Sequence, residues 1–87
     1  MKSYEFTING KVQKVSYRIY VSNNASDFNG YVKNLPNGDV EATVTCKDKD
    51  LDRFIDILKK GSPNSRVDNI TKIETEEVFN NKFEIRY

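Results

Sequence analysis

Tyr31-Val32-Lys33-Asn34-Leu35-Pro36-Asn37-Gly38-Asp39-Val40-Glu41-Ala42-Thr43-Val44-Thr45-Cys46 reads as two strands joined by a turn. Pro36 presets one φ, and Asn37-Gly38 suits a position where φ must be positive. The first strand spans Tyr31 to Leu35. In the second, Val40, Ala42, Val44 and Cys46 share one face, and Glu41, Thr43 and Thr45 the other. What flanks this hairpin decides the fold. Before it, Tyr17, Val21, Ala25 and Phe28 recur at helical spacing, with Asn23, Asn24 and Asp27 elsewhere. Ser16 is the expected N-cap, and Gly30 is expected just past the helix end. After the hairpin, Leu51, Phe54, Ile55 and Leu58 form an i, i+3, i+4, i+7 stripe. Asp48 or Asp50 can cap that second helix, Lys59 and Lys60 suit its last turn, Gly61 ends it, and Pro63 prevents its resumption.

Outside the helices the pattern returns to period two. Tyr4, Phe6 and Ile8 alternate with Glu5, Thr7 and Asn9 in a half-buried first strand. Val67 to Val78 is rich in β-formers but alternates imperfectly, which predicts a bulge or a long twisted strand. Asn80-Asn81 is a turn signal, and Phe83, Ile85 and Tyr87 then alternate. The order is β-α-β-β-α-β with a short extra strand. That is an α+β, ferredoxin-like sandwich, expected as an antiparallel sheet with two helices on one face. With 87 residues, residues 1–87 are expected to form one domain around one core.

The totals exclude several functions. Fourteen Lys and Arg against 13 Asp and Glu leave a net charge of +1, too little to draw nucleic acid or an anionic membrane. No apolar run approaches the roughly 20 residues of a membrane span. The N-terminus enters a strand pattern directly, without the apolar region of a signal peptide. Cys46 alone cannot form an intramolecular disulfide, so the expected compartment is the cytoplasm. There is no His, and no cluster with metal-ligand spacing. Asp48, Asp50 and Asp52 alternate, but without the Gly and terminal Glu of a calcium loop, and read as the acidic start of a helix. The expectation is no metal and no cofactor. Cys46 reads as a small core residue, and Gly38 and Glu41 as structural.

Chemistry is left to Gly10-Lys-Val-Gln-Lys-Val-Ser-Tyr-Arg18, between the first strand and the first helix. A loop of this kind aims backbone N–H groups and a helix N-terminus at one anion. Arg18, in the first helical turn, can clamp two anionic oxygens, and Lys11, Lys14 and Lys33 add positive charge. Composition alone also fits a basic loop before an exposed helix start.

The residue order goes further. Gly10-x-Val12-Gln13-x-Val15-x-Tyr17-Arg18 resembles the acylphosphatase signature, a Gly-x-Val-Gln-Gly-Val-x-Phe-Arg run that cradles phosphate. Gly30-Tyr31-Val32-x-Asn34-x-x-x-Gly38-x-Val40-Glu41 is similar to a second block of that family. Gly61-Ser62-Pro63 with Val67, and Phe83-x-Ile85-Arg86-Tyr87, add to it. The resemblance implies a ferredoxin-like fold and hydrolysis of acyl phosphates to a carboxylate and phosphate, without metal. It implies Arg18 as the phosphoryl clamp and Asn34 as the residue that positions the attacking water. Gln13, Lys14, Val15, Ser16, Tyr17 and Arg18 become the phosphate-binding loop, with Gln13 supporting it. Phosphate or sulfate would be a product-like ligand, and the expected state is a monomer. Phosphoryl transfer asks mainly for positioning and charge stabilisation. A carboxylate, whose conjugate acid has a pKa of about 4, leaves without being protonated. The missing His is therefore no obstacle.

The chain departs from the family pattern at Lys14, where the cradle glycine stands, and at Tyr17, where it has Phe. A lysine at positive φ is strained, and its side chain can add a phosphate contact or occupy the pocket. That departure motivates a second reading, a weak or inactive module that only binds anions. A third reading, an RNA-binding domain with the same strand order, needs paired aromatics on a basic strand. Val40 to Cys46 has no aromatic and carries Glu41.

Overall fold

A computed structural model describes residues 1–87. The elements are β1 (Lys2–Lys11), α1 (Tyr17–Asn24), β2 (Asn29–Asn34), β3 (Val40–Cys46), α2 (Asp48–Lys60), β4 (Arg66–Thr75) and β5 (Glu84–Arg86). They form one five-stranded sheet in the order β4-β1-β3-β2-β5. The hairpin is register-perfect, from Asn29 opposite Thr45 to Asn34 opposite Val40. On its inner face Val32, Val40, Ala42 and Val44 are buried with Phe6 and Ile8 of β1. Tyr17 and Val21 of α1 and Phe54 and Leu58 of α2 join the same cluster, so both helices supply one core. Phe54 is its hub, with ring centroids 5.6 Å from Phe6, 5.2 Å from Phe28 and 5.9 Å from Phe83. No helix is long and apolar enough to cross a membrane.

The sheet is mixed, not purely antiparallel as expected. β5 runs parallel to β2, with Tyr31 opposite Glu84 and Lys33 opposite Arg86. Phe83 anchors the start of this pairing. Its side chain joins the core beside Phe54, and its N–H donates to the Phe28 carbonyl at 3.1 Å. The chain is thus anchored beside the start of β2, and β5 then pairs forward along it from Tyr31 to Lys33. The segment before β5 crosses the opposite face of the sheet. Phe79 is buried there, edge-on to Tyr31 at 5.5 Å, and its N–H donates to Thr45 Oγ1 at 2.9 Å.

Three local expectations shift. Gly30 lies inside β2 rather than at a helix end, and α1 closes at Ala25, whose N–H donates to the Val21 carbonyl. Gly30 has φ +146°, and a Cβ there would overlap the Thr43 carbonyl oxygen of the neighbouring strand. Close strand approach, not helix termination, requires this glycine. Lys47 rather than an aspartate precedes α2, and Asp48 and Asp50 sit in its first turn facing the positive end of the dipole. The second strand begins and ends earlier than its residue pattern suggests, leaving Leu35 in the turn, where its carbonyl accepts from the Gly38 N–H at 3.2 Å. The irregular alternation of the fourth strand corresponds to a register shift against β1 at Asn9 and Gly10. Gly61 ends α2 as expected.

Candidate active site

The loop between β1 and α1 is held from three directions. Gln13 Nε2 donates to the carbonyls of Leu35 and Asp39, both at 2.8 Å, tying the loop to the β2–β3 turn. Ser62, buried in the α2–β4 connection, donates from Oγ to the Val15 carbonyl at 2.8 Å. Val12 is buried in the core. The helix that follows is latched as well. Tyr17 and Tyr20 donate their hydroxyls to the carbonyls of Leu58 and Ile57, at 2.8 and 2.6 Å, in the last turn of α2. Those carbonyls belong to a helix end, where intrahelical donors run out. Burial, with the neighbouring Tyr20 phenol, pushes the Tyr17 phenol above its ordinary pKa, so its hydroxyl stays a donor.

Two residues of the loop are left-handed, Lys14 at φ 61° and Ser16 at φ 60°. Ser16 stands at the N-cap position, but its side chain makes no capping bond. Left-handed residues set among right-handed ones are the device by which a loop can turn successive N–H groups toward one concavity. The first turn of α1 adds N–H groups without intrahelical partners. No carboxylate occupies this end: α1 has no acidic residue in its first turn.

The concavity is a cleft of about 230 Å³ lined by Val12, Lys14, Ser16, Tyr17, Arg18, Ile19 and Asn34. It contains two cations and no carboxylate. Arg18 is half-buried, and its guanidinium carbon lies 4.9 Å from the centroid of the Tyr87 ring. That cation–π contact engages the carbon face of the guanidinium and makes no hydrogen bond, so its N–H donors are not consumed by it. The ion pairs of the fold are Lys33–Glu41, Arg53–Asp27, Arg66–Asp68 and Arg86–Glu84. Arg18 and Lys14 belong to none of them. Lys33, counted in the sequence as local positive charge, is therefore spent on Glu41. Asn34 is the last residue of β2, and its Oδ1 is buried without a protein partner. An unpaired buried amide oxygen costs about 1–3 kcal/mol; Thr43 Oγ1 is likewise buried without a partner, but of the two only Asn34 lines the cleft.

Of the residues expected at the site, Lys14, Ser16, Tyr17, Arg18 and Asn34 line the cleft. Gln13 and Val15 do not; they fasten the loop through their hydrogen bonds, the former by its side chain and the latter by its carbonyl. Tyr17 contributes a wall, because its hydroxyl is engaged at Leu58. The sequence reading missed Val12 and Ile19. Ile19 is 55% exposed, and an apolar residue beside the buried Tyr17–Val21 stripe was the available signal. No group of three or more His, Cys, Asp or Glu side chains is placed to hold a metal ion.

Lys14 has a measurable cost. A non-glycine residue in the left-handed region is strained by about 1–2 kcal/mol, partly offset by the greater unfolded-state entropy of glycine, about 0.4–1 kcal/mol. Lys14→Gly is therefore expected to stabilise the fold by about 0.5–1 kcal/mol, read as a higher urea midpoint at unchanged m-value. A lower midpoint would mean that the lysine side chain makes a compensating contact.

The family model described as acylphosphatase matches residues 4–85. The acylphosphatase of Methanocella arvoryzae is 36% identical over 88 residues, covering 99% of this chain and 100% of that protein. Among solved structures, acylphosphatase from Bacillus subtilis superposes with a TM-score of 0.92 at 32% identity, over 100% of both chains. An acylphosphatase from Coxiella burnetii follows with a TM-score of 0.88 at 30% identity, over 98% of this chain and 92% of that one. These likenesses favour a hydrolase over a module that only binds anions. They span the anchored loop, the hairpin and both helices, and with that span the chain belongs to the acylphosphatase family.

Proposed function

We propose that the cleft between the β1–α1 loop and the end of β2 hydrolyses acyl phosphates, with Arg18 and Asn34 as its catalytic residues. The observation that carries this reading is the meeting of an unpaired guanidinium and a buried, unpartnered amide oxygen in one carboxylate-free cleft. The phosphoryl group sits against the Arg18 guanidinium and the N–H groups of residues 13 to 18. Both favour the charge that builds on its equatorial oxygens. The Asn34 amide accepts a hydrogen bond from a water and holds it in line with the scissile P–O bond. It does not take the proton, because an amide does not titrate in this range. The water oxygen forms the new bond to phosphorus, and the acyl oxygen departs with the electron pair of the old one. The water proton passes to a phosphate oxygen of the substrate. The products are a carboxylate and dihydrogen phosphate, which releases a proton to solvent once it has left the cleft.

No metal or general acid enters this scheme, since a carboxylate is a good leaving group unprotonated. Gln13 and Ser62 act as positioning residues through their bonds to the loop and turn. The protein acts as a cytoplasmic monomer of one domain, with phosphate or sulfate as a product-like ligand of the loop. Benzoyl phosphate incubated with the protein and excess EDTA is expected to release phosphate well above the spontaneous rate, followed by 31P NMR. Release at the spontaneous rate would refute the assignment.

A further inference from the structure

We infer that Lys14 is a specificity-determining residue, which favours acyl phosphates carrying a second negative charge at the far end of the acyl group. The inference rests on the acyl phosphate reading of the same cleft. In-line transfer places the leaving group opposite the attacking water. The water lies at Asn34, whose Oδ1 is buried, so the acyl group emerges on the open side. The exposed residues of the cleft lining are Lys14, Ser16 and Ile19. Ile19 offers an apolar surface to the body of an acyl chain or ring. Lys14 is the one charged group among the three, and no carboxylate of the protein neutralises it. The phosphoryl group already has Arg18 and the N–H cradle. A flexible ammonium on the rim is thus available to a distal carboxylate or phosphate of the substrate. The lysine holds this place at a left-handed φ of 61°, a backbone conformation that glycine would adopt without strain.

The test compares benzoyl phosphate with 4-carboxybenzoyl phosphate, whose para carboxylate cannot cyclise onto the anhydride. An exposed ion pair is worth a factor of about three to five in equilibrium. The ratio of kcat/KM for the charged over the neutral substrate is therefore expected to fall about three- to fivefold in Lys14→Gln. Lys14→Arg should retain it, and high salt should erode it in the wild type. An unchanged ratio in Lys14→Gln overturns the inference, whether both rates fall together or neither moves. Absence of turnover with either substrate refutes the acyl phosphate reading instead. The inference is then read from binding alone, by NMR titration with benzylphosphonate and 4-carboxybenzylphosphonate. A charged-over-neutral affinity ratio that is equal in wild type and Lys14→Gln overturns it there as well.

Discussion

Arg18→Ala is expected to lower kcat/KM for benzoyl phosphate by about 10³-fold, the range seen when a transition-state arginine is removed from a phosphoryl-transfer site. The effect is this large because little else in the cleft can replace the guanidinium. Lys14 is exposed and its ammonium is a point charge, whereas Arg18 is half-buried and presents a planar fork. Arg18→Lys should recover only a minor part of the loss, since charge returns without the bidentate geometry. Stability should change little, because Arg18 has no ion pair to lose and only its stack on Tyr87. Steady-state phosphate release together with a urea unfolding curve checks both halves. Activity in Arg18→Ala within tenfold of the wild type would remove the arginine from the site.

Asn34→Ala separates function from stability more sharply. It is expected to reduce kcat by about 10²–10³-fold, the cost of losing one preorganised polar group aimed at the reacting atoms. KM should move much less, because in the proposed site Arg18 and the loop, not Asn34, hold the phosphoryl group. The same substitution removes a buried amide oxygen that has no protein partner, so the fold is expected to hold its stability or gain up to about 1–2 kcal/mol. Most substitutions of a part-buried strand residue destabilise by about 1 kcal/mol, so a gain would identify a residue retained for chemistry. The kinetic constants and the unfolding midpoint of one variant decide the point. A large loss of stability with intact kcat would make Asn34 a strand-end residue.

How much of the site was legible follows from how each residue is constrained. Arg18 and Asn34 could be singled out because each lies in a motif of fixed spacing. The loop residues between Gly10 and Arg18 were legible as a group but not one by one. Gln13 and Val15 occupy the same motif as Lys14 and Ser16, yet they anchor the loop while the other two line the cleft. That division depends on where the Leu35, Asp39 and Ser62 partners come to lie, which adjacent sequence does not encode. Ile19 escaped notice for the opposite reason. An apolar residue in a helix reads as core, and its position off the Tyr17–Val21 stripe, which turns it outward to 55% exposure, was the signal passed over.

Periodicity and turn chemistry alone determined the element order, the hairpin with Val40 to Cys46 as its second strand, and the Leu51–Leu58 stripe, because period and turn preference are local properties. Gly30 shows the limit of local reading. The same glycine suits a helix end or a strand, and only the Thr43 carbonyl across the β2–β3 ladder chooses. The direction of β5 is a second case, since alternation in Phe83, Ile85 and Tyr87 is identical for parallel and antiparallel pairing. In the folded chain Phe83 packs into the core with Phe28 and Phe54, and β5 pairs parallel to β2. The third case is the site itself. Sequence could name a cationic loop and an asparagine, but the absence of a carboxylate beside them, and of a partner for the Asn34 oxygen, are properties of the space between elements. Long-range packing creates that space, and no stretch of the chain contains it.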